Sequence, residues 1–380
     1  MKKVKIGIVG LGNMGLTYAK AILAGKVPAA SLTAVCVNGA AKVEQAIATL
    51  GSGVQCFSDF QTFSQSDEFE AVIIATPNQT HVAMATVALR AGKAVLLEKP
   101  VSLDIQEGYD LVTLAAEKKL AFAVMHHLRF NPQVQRLKTL LEQGIIGQIH
   151  RMHWDNLRYF RPQSYYNSLS WTGTWEKDGG GLLMNQAIHE LDLLNFLFGE
   201  PTALLAYTKF GAYRDVEIDT ESTLITTYPD GSSATFVTSI NEPLGQEHLK
   251  IVGELGEINW SRDRKITVTT LQPTSVKLGT PSLLETQEIV IHLDEAAWLA
   301  DLTASIENFC QHILADQPLI APGLAGVKSV ELAKTAWASA FKQEWLSFPV
   351  KSVEIEQIYE RIKKEYKNDH HTSRRTTRSD

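Results

Sequence analysis

Short apolar runs alternate with segments of helical character along the first third of the chain. Continuous apolar runs of this length are typical of strands buried on both faces of a parallel sheet. The predicted strands are Val4–Val9, Leu32–Val37, Val54–Phe57, Ala71–Ala75, Ala94–Leu97 and Leu120–His126. Helices are predicted between them, to about Leu23 and over Ala41–Leu50, Val82–Ala91 and Asp104–Lys118. This order predicts an α/β fold, a six-strand doubly wound parallel sheet of the Rossmann type, over residues 1–127.

Beyond residue 128 apolar and polar residues alternate, the period of a strand with one buried face. Strands are predicted at Ile149–Leu157, Ala203–Phe210, Ser222–Tyr228, Ala234–Ile240, Leu249–Val252, Glu257–Trp260, Ile266–Leu271 and Glu288–Leu293. Short connections such as Pro229-Asp230-Gly231 favour an antiparallel sheet. Flanking helices at Glu295–Ala315 and Leu324–Phe341 complete an α+β domain predicted over residues 128–350. A helix and a polar tail, disordered from about Asn368, are predicted for residues 351–380.

Composition narrows the class of protein. A chain of 380 residues with 44% hydrophobic and 21% charged residues is expected to form two globular domains. The net charge of −6 provides no basic surface for nucleic acid. No apolar stretch approaches the ~20 residues of a membrane span, and the first residues lack the pattern of a secretory signal. Three widely spaced cysteines are expected as buried thiols, which favours the cytoplasm.

No metal site is predicted. No pair of cysteines has the spacing of zinc ligands. His126 and His127 are adjacent on a predicted strand, so their side chains are expected on opposite faces of the sheet.

The first chemical motif is Gly10-Leu11-Gly12-Asn13-Met14-Gly15, between the first strand and the first helix. In that position the first glycine permits a tight turn and the second lets the backbone approach a pyrophosphate. The third allows close packing of helix on strand, with the phosphates at the helix N-terminus. A plain strand-to-helix turn is the alternative. The motif predicts a site for NAD or NADP, and the next strand end, Val37-Asn38, has neither the acid that favours NAD nor the arginine that favours NADP.

Two further turns follow predicted parallel strands, at the edge where open α/β sheets bind ligands. Thr76-Pro77-Asn78 leads into a helix with His81, where its polar groups suit either a ligand or a helix cap. Glu98-Lys99-Pro100 ends the run Ala94–Leu97. A lysine at such a strand end is either salt-bridged or required for its charge or proton.

The second domain contains Gly179-Gly180-Gly181 followed by one predicted helix, Leu182–Phe198. That helix is apolar nearly throughout, but Asn185, His189 and Asp192 recur at i, i+4 and i+7 and are expected to form one polar stripe. A polar stripe framed by apolar residues is expected to face a cavity or a polar network. The alternatives are a buried, hydrogen-bonded histidine and a functional base.

In combination these motifs, with Arg129-Phe130, resemble the glucose–fructose oxidoreductase, inositol dehydrogenase and MocA (Gfo/Idh/MocA) family. The resemblance covers residues 4 to about 200. It implies an NAD(P)-dependent dehydrogenase that oxidises a secondary hydroxyl of a sugar, a sugar derivative or a cyclic polyol. It also implies a homodimer or homotetramer formed through the antiparallel sheet.

The resemblance also implies roles for individual residues. Lys99 would hold and polarise the reacting hydroxyl, His189 would be the base, and Asn185 completes the catalytic set. The expected cofactor-binding residues are Gly10, Leu11, Gly12, Asn13, Met14, Asn38, Thr76, Pro77, Asn78, His81, Glu98 and Lys99. The expected substrate-binding residues are Arg129, Trp175, Asn185, Gln186, His189 and Asp192.

The chain departs from its inositol dehydrogenase-like relatives at Asn185, where they carry aspartate. An amide does not raise the basicity of a histidine as a carboxylate does, so Asn185 is expected to orient His189 or to bind a substrate hydroxyl. Asp192, one turn after His189, is a candidate source of the missing charge.

The segment Arg158–Trp175 is rich in aromatic residues and contains two arginines. Aromatic faces suit sugar rings, and arginines suit a carboxylate or phosphate. A loop over the site and an oligomer contact are equally good interpretations.

Asn185-Gln186 and the run Trp-Thr-Gly-Thr-Trp resemble members that act on sugars and nucleotide sugars. A non-catalytic dinucleotide-binding regulator and an NAD-dependent glycoside-cleaving enzyme are the alternative functions. The regulator has no need of both Lys99 and His189.

Overall fold

The computed structural model describes residues 2–168, 172–261, 265–277, 279–280, 282–290 and 297–376. The chain divides into two compact units, Met1–Asn131 with Glu295–Val330 and Pro132–Asp294 with Glu331–Asp380. The prediction differs here, because it placed residues 295–330 in the second domain. The physical reason is the core: Leu302, Ile306 and Phe309 belong to the hydrophobic cluster of the first unit's sheet.

The first unit contains the predicted six-strand parallel sheet. Its strands are β1 (Val4–Val9), β2 (Ala30–Cys36), β3 (Gln55–Phe57), β4 (Ala71–Ile74), β5 (Ala94–Leu97) and β6 (Phe122–Val124). Their order is β3-β2-β1-β4-β5-β6, the doubly wound Rossmann arrangement, so the predicted fold class is confirmed. All five strand pairs are parallel, and the carboxyl ends of β1, β4 and β5 therefore lie at one edge.

The helices of this unit connect its strands. They are α1 (Asn13–Leu23), α2 (Ala40–Leu50), α3 (Phe60–Ser64), α4 (His81–Arg90), α5 (Ile105–Lys118) and the later α11 (Ala297–Ala315). One prediction at the end of the sheet was wrong. Strand β6 ends at Val124, and His126 precedes a 3₁₀ turn at His127–Phe130, so the two histidines do not share a strand. Among the described residues, no cluster of His, Cys, Asp and Glu has an arrangement that would hold a metal ion.

The second unit is built on a nine-strand sheet. Its strands are β7 (Ile149–Asn156), β8 (Ala203–Phe210), β9 (Asp219–Thr227), β10 (Ser233–Ser239), β11 (Glu247–Gly253), β12 (Gly256–Ser261), β13 (Lys265–Leu271), β14 (Leu283–Val290) and β15 (Leu346–Ser347). The order is β14-β13-β12-β11-β7-β10-β9-β8-β15. The predicted antiparallel sheet is confirmed with one exception, since β7 and β10 are parallel. On its buried face Trp154 packs edge-on against Phe236 and Trp260, with ring centroids 5.6 and 6.0 Å away.

The helices of the second unit are α6 (Pro132–Glu142), α7 (Gln163–Ser168), α8 (Trp175–Asp178), α9 (Ile188–Phe198), α10 (Pro273–Lys277) and α13 (Ser352–Thr376). Helix α12 (Gly323–Lys342) begins in the first unit and ends in the second. Helix α13 continues past Asn368, where we expected disorder, to Thr376, and residues 377–380 lie outside the described residues. The predicted strand Glu288–Leu293 begins earlier, at Leu283, and its last residues are also outside the described set. No helix among the described residues is both long enough and apolar enough to cross a membrane.

Strands β7 and β10 end at the same edge of the nine-strand sheet, because they are parallel and Asn156 is opposite Thr238. The antiparallel strand β9 begins there, with Glu221 opposite Ser239. This edge of the second unit is called the β7/β10 edge below.

Candidate active site

The three glycines of the first turn have separate functions. Gly10 has φ +86°, and a Cβ there would lie 2.4 Å from the Ala75 carbonyl oxygen after β4. A Cβ at Gly15 would lie 1.9 Å from the Gly10 carbonyl oxygen, so this glycine packs α1 against the turn. Gly12 has open space on its Cα, with nothing within 4 Å of an added Cβ. Only the second glycine thus leaves room for a group from outside the chain, which fits the role expected for a pyrophosphate site.

Substitution of Gly12 and of Gly15 by alanine is therefore expected to give opposite results. Gly15→Ala overpacks the turn and is expected to lower the free energy of unfolding by about 1–3 kcal/mol. Gly12→Ala meets no protein atom at a φ of −68°, so stability is expected to be unchanged. Its dinucleotide affinity is expected to fall by about tenfold, or ~1.4 kcal/mol. Urea unfolding and a fluorescence titration with NADH measure the two effects; unchanged NADH affinity in Gly12→Ala would contradict the assignment.

The remaining residues of the turn leave the helix end open to a ligand. Gly12 is the N-cap of α1, and neither a side-chain cap nor an acidic residue occupies its first turn. The N-terminus of a helix carries free N–H groups and partial positive charge, which suit a phosphate. Leu11 and Met14 are half-buried beneath the turn, whereas Asn13 is exposed.

The end of β2, expected to lie near the ribose, contains two different environments. The Val37 side chain is 7% exposed and belongs to the core. Asn38 is exposed, as is Lys42 in the first turn of α2. Asn38 and Lys42 are therefore the polar side chains of this strand end that are open to a ligand.

His81 connects the two other turns at this edge. Its fully buried ring places Nδ1 2.7 Å from the Pro100 carbonyl oxygen and Nε2 2.9 Å from the Thr76 carbonyl oxygen. Burial lowers the pKa of His81, against the two carbonyl contacts, which raise it. In the neutral ring only one nitrogen donates a hydrogen bond. The structure therefore places His81 behind the turns, where it holds their backbone.

The turn that follows β4 is also internally bonded. The Thr80 hydroxyl donates to the Pro77 carbonyl at 2.8 Å and lies 2.7 Å from the Thr76 hydroxyl. Asn78 starts the short 3₁₀ turn Asn78–Thr80 and is half-buried. The capping interpretation and the ligand-facing interpretation of this turn are compatible.

Glu98 and Lys99 have different surroundings although they are adjacent. The Glu98 carboxylate is 9% exposed and accepts a short hydrogen bond from the Tyr18 hydroxyl of α1. Burial raises the pKa of Glu98, and the Tyr18 hydrogen bond and the Lys99 charge oppose that rise. Lys99 itself is half-buried. Glu98 thus fixes the strand end to α1, and Lys99 is the residue of the pair with access to a ligand.

Arg129, expected to bind substrate, follows the carboxyl end of β6 and is bonded to the first unit itself. Its side chain is 7% exposed, and a guanidinium N–H donates to the Ile320 carbonyl at 2.7 Å. Nearby, the Asn131 amide donates to Asp301 of α11 at 3.0 Å. These contacts attach the end of the Rossmann sheet to the returning segment, so Arg129 and Asn131 have a structural role.

In the second unit the predicted helix Leu182–Phe198 is interrupted. Residues Leu182–Gln186 form a π-helical turn, with the Ala187 N–H donating to the Leu182 carbonyl, and α9 starts only at Ile188. The extra residue in this turn changes the angular position of Asn185 around the helix axis relative to His189 and Asp192. The i, i+4, i+7 stripe was predicted for an uninterrupted α-helix. Asn185, Gln186 and His189 are half-buried, whereas Asp192 is 1% exposed. Such π turns occur often at functional sites.

A buried carboxylate that sequence reasoning missed holds this π turn. Asp219, the first residue of β9, accepts from the Gly181 and Leu183 N–H groups, each at 2.8 Å. Burial raises the pKa of Asp219 to about 6, although both N–H groups act to lower it. A Cβ on Gly181 would lie 2.4 Å from the Asp219 carbonyl oxygen, and one on Gly180 would lie 2.5 Å from the Trp337 ring. The consecutive glycines are therefore required for close packing.

Asn185 has a charged neighbour that was also missed. Its amide donates a short hydrogen bond to Asp178, which is 2% exposed and also accepts from the Gly173 N–H at 3.1 Å. This contact fixes the orientation of the Asn185 amide. A buried carboxylate, Asp178, therefore lies one contact away from Asn185. No sequence spacing indicated it, apart from its place directly before the three glycines.

Trp175 lies in an aromatic core. It is 3% exposed and packs edge-on against Trp337 and Tyr359, with centroids 5.4 and 5.7 Å away, and its backbone N–H donates to the Glu217 carboxylate. This placement differs from the predicted contact with a sugar ring. The neighbouring residue Trp171 lies outside the described residues.

The Rossmann sheet and the glycine turn define a dinucleotide-binding protein, and comparison with known proteins identifies the family. Residues 4–126 match the model of the oxidoreductase family with an NAD-binding Rossmann fold. Residues 134–259 match the GFO/IDH/MocA C-terminal domain. The chain belongs to the Gfo/Idh/MocA family, as the motifs predicted.

Individual relatives are distant. An uncharacterized oxidoreductase of Streptococcus pneumoniae is 32% identical over 196 residues, 52% of this chain and 50% of that protein. The chain thus spans about half the length of several curated relatives that it matches. A UDP-N-acetylglucosamine 3-dehydrogenase of Acidithiobacillus ferrooxidans is 28% identical over 86% of this chain and 94% of its own length.

Solved structures show the same fold over most of the chain. The WlbA dehydrogenase of Bordetella pertussis, solved with NADH and UDP-GlcNAcA, aligns over 92% of this chain and 100% of its own, with a TM-score of 0.75 and 24% identity. A levoglucosan dehydrogenase, solved with NADH and levoglucosan, aligns over the same shares with a TM-score of 0.78 and 20% identity.

Proposed function

We propose that the chain is an NAD(P)-dependent dehydrogenase that oxidises a secondary hydroxyl of a sugar, a sugar derivative or a cyclic polyol. The observation that carries the proposal is the edge of the Rossmann sheet. There the open backbone at Gly12 follows β1, and Lys99 follows β5. The names of relatives support it, among them an inositol 2-dehydrogenase of Rhizobium meliloti, 26% identical over 78% of its length.

The proposed chemistry follows from the residue types. Oxidation of a carbinol requires that the hydroxyl lose its proton while hydride leaves the carbon. Lys99 donates a hydrogen bond to the hydroxyl oxygen and stabilises the developing alkoxide, and His189 accepts the proton. Asn185, held by Asp178, orients His189 or a substrate hydroxyl. Bound NAD supplies the hydride acceptor.

The remaining assignments are part of the same proposal. The first unit binds the dinucleotide, and the second binds substrate and forms the homodimer or homotetramer through its sheet. A panel of sugars, inositols and sugar acids assayed with NAD and with NADP tests the proposal through the absorbance of reduced nicotinamide. Reduction with at least one member of the panel is expected, and its absence with all of them would contradict the proposal.

Cofactor preference is expected to be weak, with NAD and NADP affinities within about tenfold, or ~1.4 kcal/mol. Val37 is buried, so the informative change is Asn38→Asp, which places a carboxylate at the exposed strand end. That carboxylate is expected to repel the 2′-phosphate and to shift the preference towards NAD by about tenfold or more. Tryptophan fluorescence titrations with both cofactors measure it. The companion variant Lys42→Gln measures whether the Lys42 charge contributes to NADP affinity. A wild-type preference above about a hundredfold for either cofactor would contradict the expectation.

A further inference from the structure

Two arginines meet at the β7/β10 edge of the second unit. Arg161 lies just beyond β7, and its backbone N–H donates to the Ile240 carbonyl beyond β10 at 2.9 Å. Arg214 lies in the connection between β8 and β9, and its Nε donates to the Arg161 carbonyl at 2.7 Å. Segments far apart in sequence therefore bring the two residues together.

Both guanidinium groups are held in fixed orientations. The Arg161 guanidinium stacks over the Tyr165 ring at 5.2 Å, and one of its N–H groups donates to the Phe160 carbonyl at 3.0 Å. The Arg214 guanidinium stacks over the Phe160 ring at 5.6 Å and donates to the Tyr213 carbonyl at 2.6 Å. Stacking and carbonyl contacts remove rotamer freedom before any ligand arrives, which favours tight binding.

Neither charge is neutralised by a carboxylate in the described part of the chain. Arg158, only three residues before Arg161, does form such a pair, at 3.4 Å from the buried Glu247. The Arg161 Nε atom is buried and makes no hydrogen bond to any described residue, and the same holds for the buried Tyr166 hydroxyl. Buried donors without partners are costly, and they mark places where a ligand or a water molecule belongs.

Arg161 is connected to the proposed catalytic amide of Asn185 through a series of contacts. Tyr165, over which the Arg161 guanidinium lies, packs edge-on against Tyr166, with ring centroids 5.1 Å apart. Burial raises the pKa of Tyr166, and the Arg161 charge opposes that rise. The Tyr166 ring also borders Gly173, whose N–H donates to Asp178. Asp178 in turn accepts from Asn185. A short series of contacts thus connects the arginine pair with Asn185.

We propose that Arg161 and Arg214 form a subsite for an anionic group of the substrate, a carboxylate or a phosphate. The guanidinium fork of arginine matches the geometry of these anions, and neutral sugars provide no such group. The chain therefore selects acidic sugar derivatives over neutral sugars and polyols. That the bound anion belongs to the substrate rests on the proposed function, but the binding of an anion by Arg161 and Arg214 does not.

Calorimetric titration in the presence of NADH tests the subsite without turnover. D-glucuronate is the carboxylate probe and UMP the phosphate probe, with D-glucose and uridine as their neutral counterparts. In the wild-type protein at least one acid is expected to bind at least tenfold more tightly than its neutral counterpart. In the double variant Arg161→Gln/Arg214→Gln, the affinity for that acid is expected to fall at least tenfold. Whichever acid responds identifies the source of the anion.

Arg151→Gln is the matched control, since Arg151 is exposed near the opposite end of β7. It is expected to leave both affinities within twofold. If the double variant does not fold, Arg161→Lys and Arg214→Lys replace it; each keeps the charge, loses the fork and is expected to weaken binding severalfold. Wild-type protein that binds neither acid, or variants that bind as well as wild type, would overturn the subsite. Absence of turnover with every sugar would instead contradict the proposed function.

Discussion

Replacement of Lys99 by alanine is expected to lower turnover by about 10²–10³-fold, the loss typical when one contact to a developing oxyanion is removed. Dinucleotide affinity is expected to stay within a few-fold, because Glu98, bonded to Tyr18, still fixes the strand end. Lys99 is half-buried, so the substitution removes no residue of the sheet core. Steady-state rates and an NADH titration on the same preparation separate the two effects.

Lys20→Ala provides the control for Lys99→Ala, since Lys20 is an exposed cation on α1. It is expected to retain wild-type turnover. Near-normal turnover in Lys99→Ala would show that Lys99 is structural. A loss of NADH binding as large as the loss of turnover would place Lys99 in cofactor binding alone.

His189→Asn is expected to lower kcat/KM by about 10²–10⁴-fold, the contribution typical of a general base. Asparagine keeps a hydrogen-bonding side chain but does not accept the proton. The pH profile gives the sharper result. A base acts only when it is unprotonated, so wild-type kcat/KM is expected to fall as the pH falls, and this acidic limb is expected to disappear in the variant.

Asp230→Asn, in the turn between β9 and β10, is a control for the effect of a polar change in the same unit. Its pH profile is expected to match that of the wild type. If His189→Asn retains the acidic limb, another residue is the base and the proposed role of His189 is wrong.

The sequence predicted best the elements that depend on local pattern. Strands β1, β5 and β8 begin and end at the predicted residues, because a continuous or alternating apolar run determines both their burial and their length. The doubly wound order followed from the alternation of these runs with helices and was confirmed.

Features that depend on distant residues could not be predicted in this way. The helix Leu182–Phe198 is apolar nearly throughout, so its pattern gave no sign of the π turn that Asp219, far along the chain, holds in place. The return of residues 295–330 to the first unit likewise depends on packing against β1 and β2. The core position of Trp175 depends on Trp337 and Tyr359.

The residues at the candidate site show the same division. The glycine turn and Lys99 could be proposed from the sequence because each lies directly after a recognisable strand. Asp178 and Arg214 were missed because their importance comes from contacts with Asn185 and Arg161, which no local spacing encodes. Arg129 was assigned to the substrate by motif, and that assignment stays a prediction; the structure adds a hydrogen bond from its guanidinium to the Ile320 carbonyl.

The transfer of a labelled hydride tests the central claim most directly. A substrate found with the panel is prepared with deuterium on the carbinol carbon and incubated with NAD, and the mass of the free reduced cofactor is measured. The dehydrogenase proposal predicts one deuterium in each molecule of NADH released, in equal amount to the ketone formed. Binding of NAD without its reduction, as in a regulator, or product formed without free NADH, as in an enzyme that recycles its cofactor, would contradict it.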